Sequence, residues 1–233
     1  MYLQIKMPGL AFADILEGAQ RKRRELSVFP YKAELCRCSF CRFFSGDQCV
    51  LKTCCCIPQR VKAGTCSFRE LTEHCFVNVK NHQFRSCLVL AEASIASNRS
   101  CFLSADHKKR FEESIVGVKK GDLLALVQLY VLTASDKLWR ASKPFVFRDG
   151  ISYLEISFHG LDDNGYGFYC IAYDIANRTS HMDVNDLCNS EIVSFELFKV
   201  ACCAVVISAF GLDAIRISEK RQRNRRNSRA AEK

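Results

Sequence analysis

The spacing of apolar residues predicts helices in the first part of the chain. Residues 9–26 have the 3.6-residue apolar period of an amphipathic helix. The expected helix includes a basic cluster at residues 21–24. Ser67 is followed three positions later by Glu70, and this pair matches a capping box, in which each side chain bonds the backbone N–H of the other residue. A second helix is therefore expected over residues 68–79.

The middle of the chain contains residues that commonly begin helices. We expect a turn over residues 81–85, followed by a helix over residues 86–97, with a short strand as the alternative. Ser104 and Asp122 are typical N-cap residues, so each is expected to begin a helix. The helix after Asp122 is apolar on almost every side and should lie in the core. A shorter helix is expected over residues 136–142.

From residue 145 the pattern changes to an alternation of apolar and polar residues, which is typical of half-buried strands. Asn164 and Gly165 readily adopt the positive φ angles of a tight turn, so two strands are expected to pair across them. A helix should follow over residues 191–210. The whole pattern predicts an α+β fold: a mostly helical body, a central β-hairpin or small antiparallel sheet, and an N-terminal Cys-rich module stabilised by metal.

These changes of pattern divide the chain into four segments. Residues 1–34 should hold the first helix and its basic cluster, and residues 35–80 a Cys-rich zinc module. An α+β domain is expected in residues 81–215 and a basic tail in residues 216–233.

Cysteine is unusually frequent, with 15 residues in the chain, and nine of them fall between Cys36 and Cys75. An odd total without an export signal argues against a disulfide framework. A Cys-x2-Cys spacing lets two thiolates bind one cation, which favours structural zinc, with an iron–sulfur cluster or buried thiols as the alternatives. The candidate ligands are Cys38, Cys41, Cys49 and one of the adjacent Cys54, Cys55 and Cys56.

Positive charge is concentrated at the C-terminus. The formal charge of the chain is +9, and residues 216–233 contain eight basic and two acidic residues. Basic segments of this kind bind polyanions, and nucleic acid is the most common one inside cells. A solvated tail that only aids solubility is the alternative. The candidate phosphate-binding residues are Arg221, Arg223, Arg225, Arg226 and Arg229.

Other candidate residues favour structural roles. His74 and His107 are expected on helices at the surface, and the alternative for His74, which lies next to Cys75, is a further metal ligand. His159, Asp162 and Asp163 gather near the expected hairpin turn, where an acid–base site is the less favoured interpretation. Aspartates in turns mostly accept hydrogen bonds from nearby backbone amides.

The sequence indicates neither a membrane span nor one of the common enzyme classes. The longest nearly continuous apolar run, residues 200–212, is shorter than the roughly 18 residues that span a bilayer. The N-terminus has acidic residues inside its apolar stretch and basic residues after it, the reverse of a secretory signal, so we expect a cytoplasmic protein. The chain also lacks the phosphate-binding loop, the dinucleotide-binding fingerprint, the nucleophile elbow and the His-Glu-x2-His motif.

Longer stretches of sequence resemble a known family. The segments FLSADHKKRFEE, LLALVQLYVLTASDKLWRASKPFV and YCIAYDIANRTSHMDVNDLCNSEIVSFELFKVACCAVVISAFG resemble an uncharacterised domain family found on bacterial mobile elements and prophages, over about residues 102–213. The block CRCSFCRFFSGDQCVLKTCCCIPQRVKAG resembles an unassigned Cys-rich segment from similar settings. The resemblance implies a context of DNA transfer, phage regulation or counter-defence and assigns no chemistry.

Together these observations predict a non-enzymatic, zinc-stabilised accessory or regulatory protein of a mobile element or phage that associates with nucleic acid through its basic tail. The alternative is an inhibitor or adaptor of the anti-defence type that binds a host protein, such as a nucleic-acid-handling enzyme. A redox or metal-dependent enzyme ranks third.

Overall fold

The structure is a computed structural model that describes residues 10–24, 44–45, 48–49, 61, 66–98, 100–119 and 121–215. For residues 21–24, 44–45 and 48–49 it describes the backbone. Helices dominate this part of the chain. In order they are α1 (Phe12–Arg24), α2 (Phe68–Cys75), α3 (His82–Asn98), α4 (Ala105–Ser114), α5 (Leu123–Leu132), α6 (Asp136–Ser142), α7 (Asp163–Asn177), α8 (Val184–Cys188), α9 (Phe195–Phe210) and α10 (Leu212–Ile215).

Four short strands form two antiparallel pairs. β1 (Phe44–Ser45) pairs with β2 (Gln48–Cys49), and β3 (Val146–Phe147) pairs with β4 (Gly150–Ile151). Short 3-10 helices flank the second pair at Lys143–Phe145 and Tyr153–Glu155. The expectation of a mostly helical body with a small antiparallel sheet is therefore confirmed, whereas the metal-stabilised module falls largely outside the described residues.

Helix α9 forms the centre of the core. Its side chains are buried on every side from Leu197 to Phe210, because α1, α2, α3, α5 and α7 all pack against it. The Ser194 hydroxyl accepts a hydrogen bond from the backbone N–H of Leu197 (3.2 Å) and caps the helix. Gly211 ends it with a φ of 75°, a conformation that favours glycine.

The expected N-caps are confirmed. The Ser67 hydroxyl accepts from the backbone N–H of Glu70 (3.2 Å), and the Glu70 carboxylate accepts from the backbone N–H of Ser67 (2.6 Å). Ser104 and Asp122 cap α4 and α5. Their side-chain oxygens accept hydrogen bonds from the backbone N–H groups of residues 107 and 125. α5 is buried over most of its length, as its composition predicts.

The expected turn over residues 81–85 is wrong, because α3 already begins at His82. The Asn81 side-chain oxygen accepts a hydrogen bond from the backbone N–H of Phe84 (2.9 Å), so Asn81 supports the first turn of a helix. The helical interpretation of residues 86–97 is confirmed, and the alternative of a strand is wrong.

The hairpin across Asn164 and Gly165 is also wrong. Both residues lie in the first turn of α7, where the Asp162 carboxylate accepts a hydrogen bond from the backbone N–H of Gly165 (2.8 Å). The buried residues that follow, such as Phe168 and Ile171, are spaced as a helix requires. The only strand pair in the described part of residues 121–215 is β3 with β4.

The first helix packs into the same core as the rest. Phe12 donates a backbone hydrogen bond to the carbonyl of Met182 (3.2 Å), and the backbone N–H of Val184 donates to the carbonyl of Leu10 (3.1 Å). The buried face of α1, which includes Ile15, lies against α9, α2 and α7. None of the described helices is long and apolar enough to cross a membrane.

Candidate functional site: an aromatic pocket on α7

Most of the residues predicted from sequence to bind metal or phosphate lie outside the described residues. Among the candidate ligands, Cys49 is placed by its backbone in β2, opposite Phe44. The residues that lie outside are Cys38, Cys41, Cys54, Cys55, Cys56, Arg221, Arg223, Arg225, Arg226 and Arg229. Zinc ligation and phosphate binding therefore stay predictions.

Two buried cysteines, Cys188 and Cys202, are packing residues. Within the ranges that the structure describes, no group of three or more His, Cys, Asp or Glu side chains could hold a metal ion. Burial raises the pKa of Cys188 to about 12 and that of Cys202 well above its usual value, so both are protonated thiols. Thiols in this state behave as small apolar side chains.

The expected surface position is wrong for His107, which is a structural residue with no exposed surface. Its Nδ1 accepts a hydrogen bond from the backbone N–H of Leu103 (3.2 Å), and its Nε2–H donates to the carbonyl of Tyr130 (3.0 Å). Burial lowers the pKa of His107 to about 4, so the ring is neutral at pH 7. His74 is half-buried, with its ring 5.6 Å from that of Phe210.

The three residues near the expected hairpin do not form an acid–base site in the described structure. His159 and Asp163 are exposed, and Asp162 caps α7. The interpretation that these aspartates serve local backbone amides is confirmed for Asp162, although the amide belongs to a helix instead of a turn.

A pocket of about 110 Å³ opens at the surface beside α7. Three tyrosines contribute to it from successive turns of the helix, at positions that share one face. The lining residues are Leu154, Tyr166, Tyr169, Cys170, Tyr173 and His181.

The aromatic rings of this pocket stand in two orientations. The ring of Tyr169 is nearly parallel to those of Tyr166 (centroids 6.4 Å apart, 18°) and Tyr173 (5.8 Å, 29°). The imidazole of His181 is almost perpendicular to the Tyr173 ring, at 5.4 Å and 83°. Phe158 stands edge-on to Tyr169 at 4.6 Å and extends the cluster beyond the pocket.

A buried carboxylate fixes the histidine. Asp174 has no exposed surface, and its Oδ1 lies 2.6 Å from Nδ1 of His181. Since a carboxylate only accepts, Nδ1 carries the proton, and Nε2 is the ring nitrogen left for a ligand. Asp174 also accepts from the Thr179 hydroxyl (2.6 Å) and from the backbone N–H groups of His181 (2.9 Å) and Met182 (3.0 Å).

Tyr166, Tyr169 and Cys170 are uncharged at neutral pH. The Tyr166 hydroxyl donates a hydrogen bond to the Cys170 thiol, and that neighbour raises the pKa of Tyr166. Burial raises the pKa of both Cys170 and Tyr169. Cys170 is therefore a protonated thiol, which is a poor nucleophile.

The pocket was not predicted from the sequence. Tyr166, Tyr169 and Tyr173 follow the i, i+3, i+7 spacing of one helical face, a signal that was available. The strand interpretation of the same residues divided them between two faces of a sheet.

Comparison with known proteins returned no match: no family model, no curated protein and no solved structure is similar to the chain. The resemblance to a mobile-element family stays a prediction.

Proposed function

We propose that the protein is a non-enzymatic accessory or regulatory protein of a mobile element that binds nucleic acid through residues 216–233. The observation that carries the proposal is the density of charge in this segment, where eight residues are basic and two are acidic. Contacts with phosphates are electrostatic, which makes binding sensitive to salt and largely independent of sequence. In the same proposal, zinc bound by the Cys-rich segment stabilises the fold. The assignment to a mobile element rests on the resemblance of residues 102–213.

The position of the segment supports this role. It follows directly on α10, where Ala214 and Ile215 are buried in the core. The basic segment therefore follows in sequence directly after a residue that is fixed in the body.

Several arginines of the body already have structural partners. Arg85 donates to the carbonyl of Val79 (2.8 Å), and Arg110 donates to the carbonyl of Thr133 (3.0 Å). Arg140 forms an ion pair with Asp136 at 2.8 Å. These contacts occupy three arginines of the body with structural partners.

The test measures binding of a fluorescent oligonucleotide by anisotropy at several salt concentrations. Four arginines of the segment are replaced together, and the rest of the chain is kept. The variant carries Arg221→Gln, Arg223→Gln, Arg225→Gln and Arg226→Gln. We expect weaker binding and a plot of log K against log salt that is less steep by about 3, because each lost phosphate contact removes about 0.7 to 0.9 from the slope.

A matched control removes the same charge from the exposed surface of the body. It carries Lys80→Gln, Lys109→Gln, Lys137→Gln and Arg148→Gln. This variant should keep most of the slope. If the two variants lose the same amount, or if the arginine variant keeps its slope, the proposal is wrong and the protein-binding alternative gains support.

A further inference from the structure

We infer that the pocket formed by Tyr166, Tyr169, Tyr173 and His181 binds a quaternary or fully methylated ammonium group, such as the head of choline or of trimethyllysine. This site is separate from the basic segment and goes beyond the proposed function. The inference rests on the geometry of the rings and on the charge around them.

The rings offer the geometry that an alkylammonium cation requires. Such a cation binds over aromatic faces, within about 6 Å of each ring centroid, and aromatic cages for methylated ammonium groups combine several rings. Here nearly parallel tyrosines and a perpendicular imidazole line one opening. Tyr166 and His181 are each about half exposed, at 51%, so the rings are accessible from solvent.

The charges around the pocket favour a cation over an anion. No lysine or arginine is among the described residues that line it, and Tyr166, Tyr169 and Cys170 are uncharged. The lining histidine, His181, is hydrogen-bonded to the buried Asp174 carboxylate, whose Oδ1 lies 2.6 Å from its Nδ1. A phosphate would find no lysine or arginine among the lining residues, whereas a quaternary ammonium finds aromatic rings beside a buried carboxylate.

The size of the pocket allows only part of the group to be enclosed. Its volume of about 110 Å³ is below the roughly 150 Å³ of a cavity that accommodates benzene, and a trimethylammonium group is about as large as benzene. The remainder of the ligand would extend past the exposed Leu154 into solvent.

The test compares choline with its neutral isostere 3,3-dimethylbutan-1-ol, in which carbon replaces the charged nitrogen. Both are titrated into the full chain and followed by calorimetry. We expect saturable binding of choline that is at least about tenfold tighter than that of the isostere, because only the cation gains the interaction with the rings. Equal affinities, or no saturable binding of choline, would overturn the inference.

Two substitutions link the binding to the rings. Tyr166→Leu and Tyr173→Leu should each reduce choline affinity several-fold, while Tyr173→Phe keeps the π-face and should keep the affinity. Phe147→Leu changes an exposed aromatic residue that does not line the pocket and serves as the control. Tyr166 is half exposed, so Tyr166→Leu should fold even if the substitution at Tyr173 does not. A folded Tyr166→Leu protein that still separates choline from its isostere contradicts the site.

A final comparison identifies the source of the group. A short peptide with trimethyllysine, the same peptide with its neutral carbon isostere, and free choline are titrated separately. Tighter binding of the methylated peptide than of choline indicates a protein partner, and equal binding indicates a small molecule. If the methylated and isosteric peptides bind equally, the inference is wrong. The arginine variant of residues 216–233 should bind choline normally, which separates this site from the nucleic-acid proposal.

Discussion

Gly167 in α7 faces Leu197 in α9 with no room for a side chain between them. A β-carbon built on Gly167 would lie 2.2 Å from Cδ1 of Leu197, which is itself buried. The two helices therefore approach each other closely at this point, beside the helical face that carries the pocket tyrosines.

Gly167→Ala should destabilise the protein by about 1 to 2 kcal/mol, because Leu197 must leave its place in a packed core. Chemical denaturation measures the change. Gly18→Ala is the matched control, since Gly18 lies in α1 with no atom within 4 Å of the added carbon. It should stabilise the protein by about 0.5 to 1 kcal/mol through helix propensity. The same gain for Gly167→Ala would show that the two helices do not pack this closely.

Asp174→Asn should destabilise the protein by about 3 kcal/mol. The amide introduces N–H donors where the carboxylate now accepts several hydrogen bonds, and a buried polar group without partners is costly. Asp163→Asn, an exposed change in the first turn of the same helix, should cost under about 1 kcal/mol. Thermal or denaturant unfolding compares the two variants, and similar losses would refute the structural role of Asp174.

Stability should fall in acid because of His107. Its pKa is about 4 in the folded protein and about 6.5 in the unfolded chain, so below pH 6.5 the unfolded state takes up a proton that the folded state excludes. The contribution is fully present above pH 6.5 and is lost as the pH falls towards 4, to a total of about 3 kcal/mol.

Denaturant unfolding between pH 7 and pH 4 measures this loss. His107→Gln should flatten the profile in that window, whereas His159→Gln, at an exposed position, should not change it. An unchanged profile for His107→Gln would exclude His107 as the cause.

The Cys-rich segment should bring one zinc ion per chain and no visible colour. Metal analysis of protein purified without air tests this, and Cys38→Ser or Cys41→Ser should lose the metal because a tetrahedral site needs all four ligands. Cys188→Ser, at a buried packing thiol, should retain it. Iron with visible absorbance would indicate a cluster instead, and protein without metal would contradict the prediction.

The parts of the fold that depend on local chemistry were predictable from the sequence. Ser104 and Asp122 begin helices because their side chains satisfy backbone N–H groups a few residues ahead. The prediction of a hairpin at Asn164 and Gly165 was wrong, because residues that are typical of tight turns also occur in the first turn of a helix. Here the carboxylate oxygen of Asp162 accepts a hydrogen bond from the backbone N–H of Gly165 and caps a helix.

The pocket could not be predicted, because it depends on contacts between separate elements. The chain leaves α7 through Arg178, whose φ of 57° is left-handed, and returns so that His181 meets Asp174. Nothing in the local sequence shows this reversal. Leu154 joins the pocket from before α7, in the 3-10 helix Tyr153–Glu155.

The docking of α1 has a consequence for synthesis on the ribosome. Phe12 and Leu10 bond to the backbone of residues 182–184, and the apolar face of α1 is covered by α9. α2 follows α1 early in translation, but α7 and α9, which also pack against α1, are made much later. Such distant contacts slow folding, and apolar surface exposed in the meantime is a site for aggregation. The apolar face of α1 is therefore a natural place for a chaperone to bind the nascent chain.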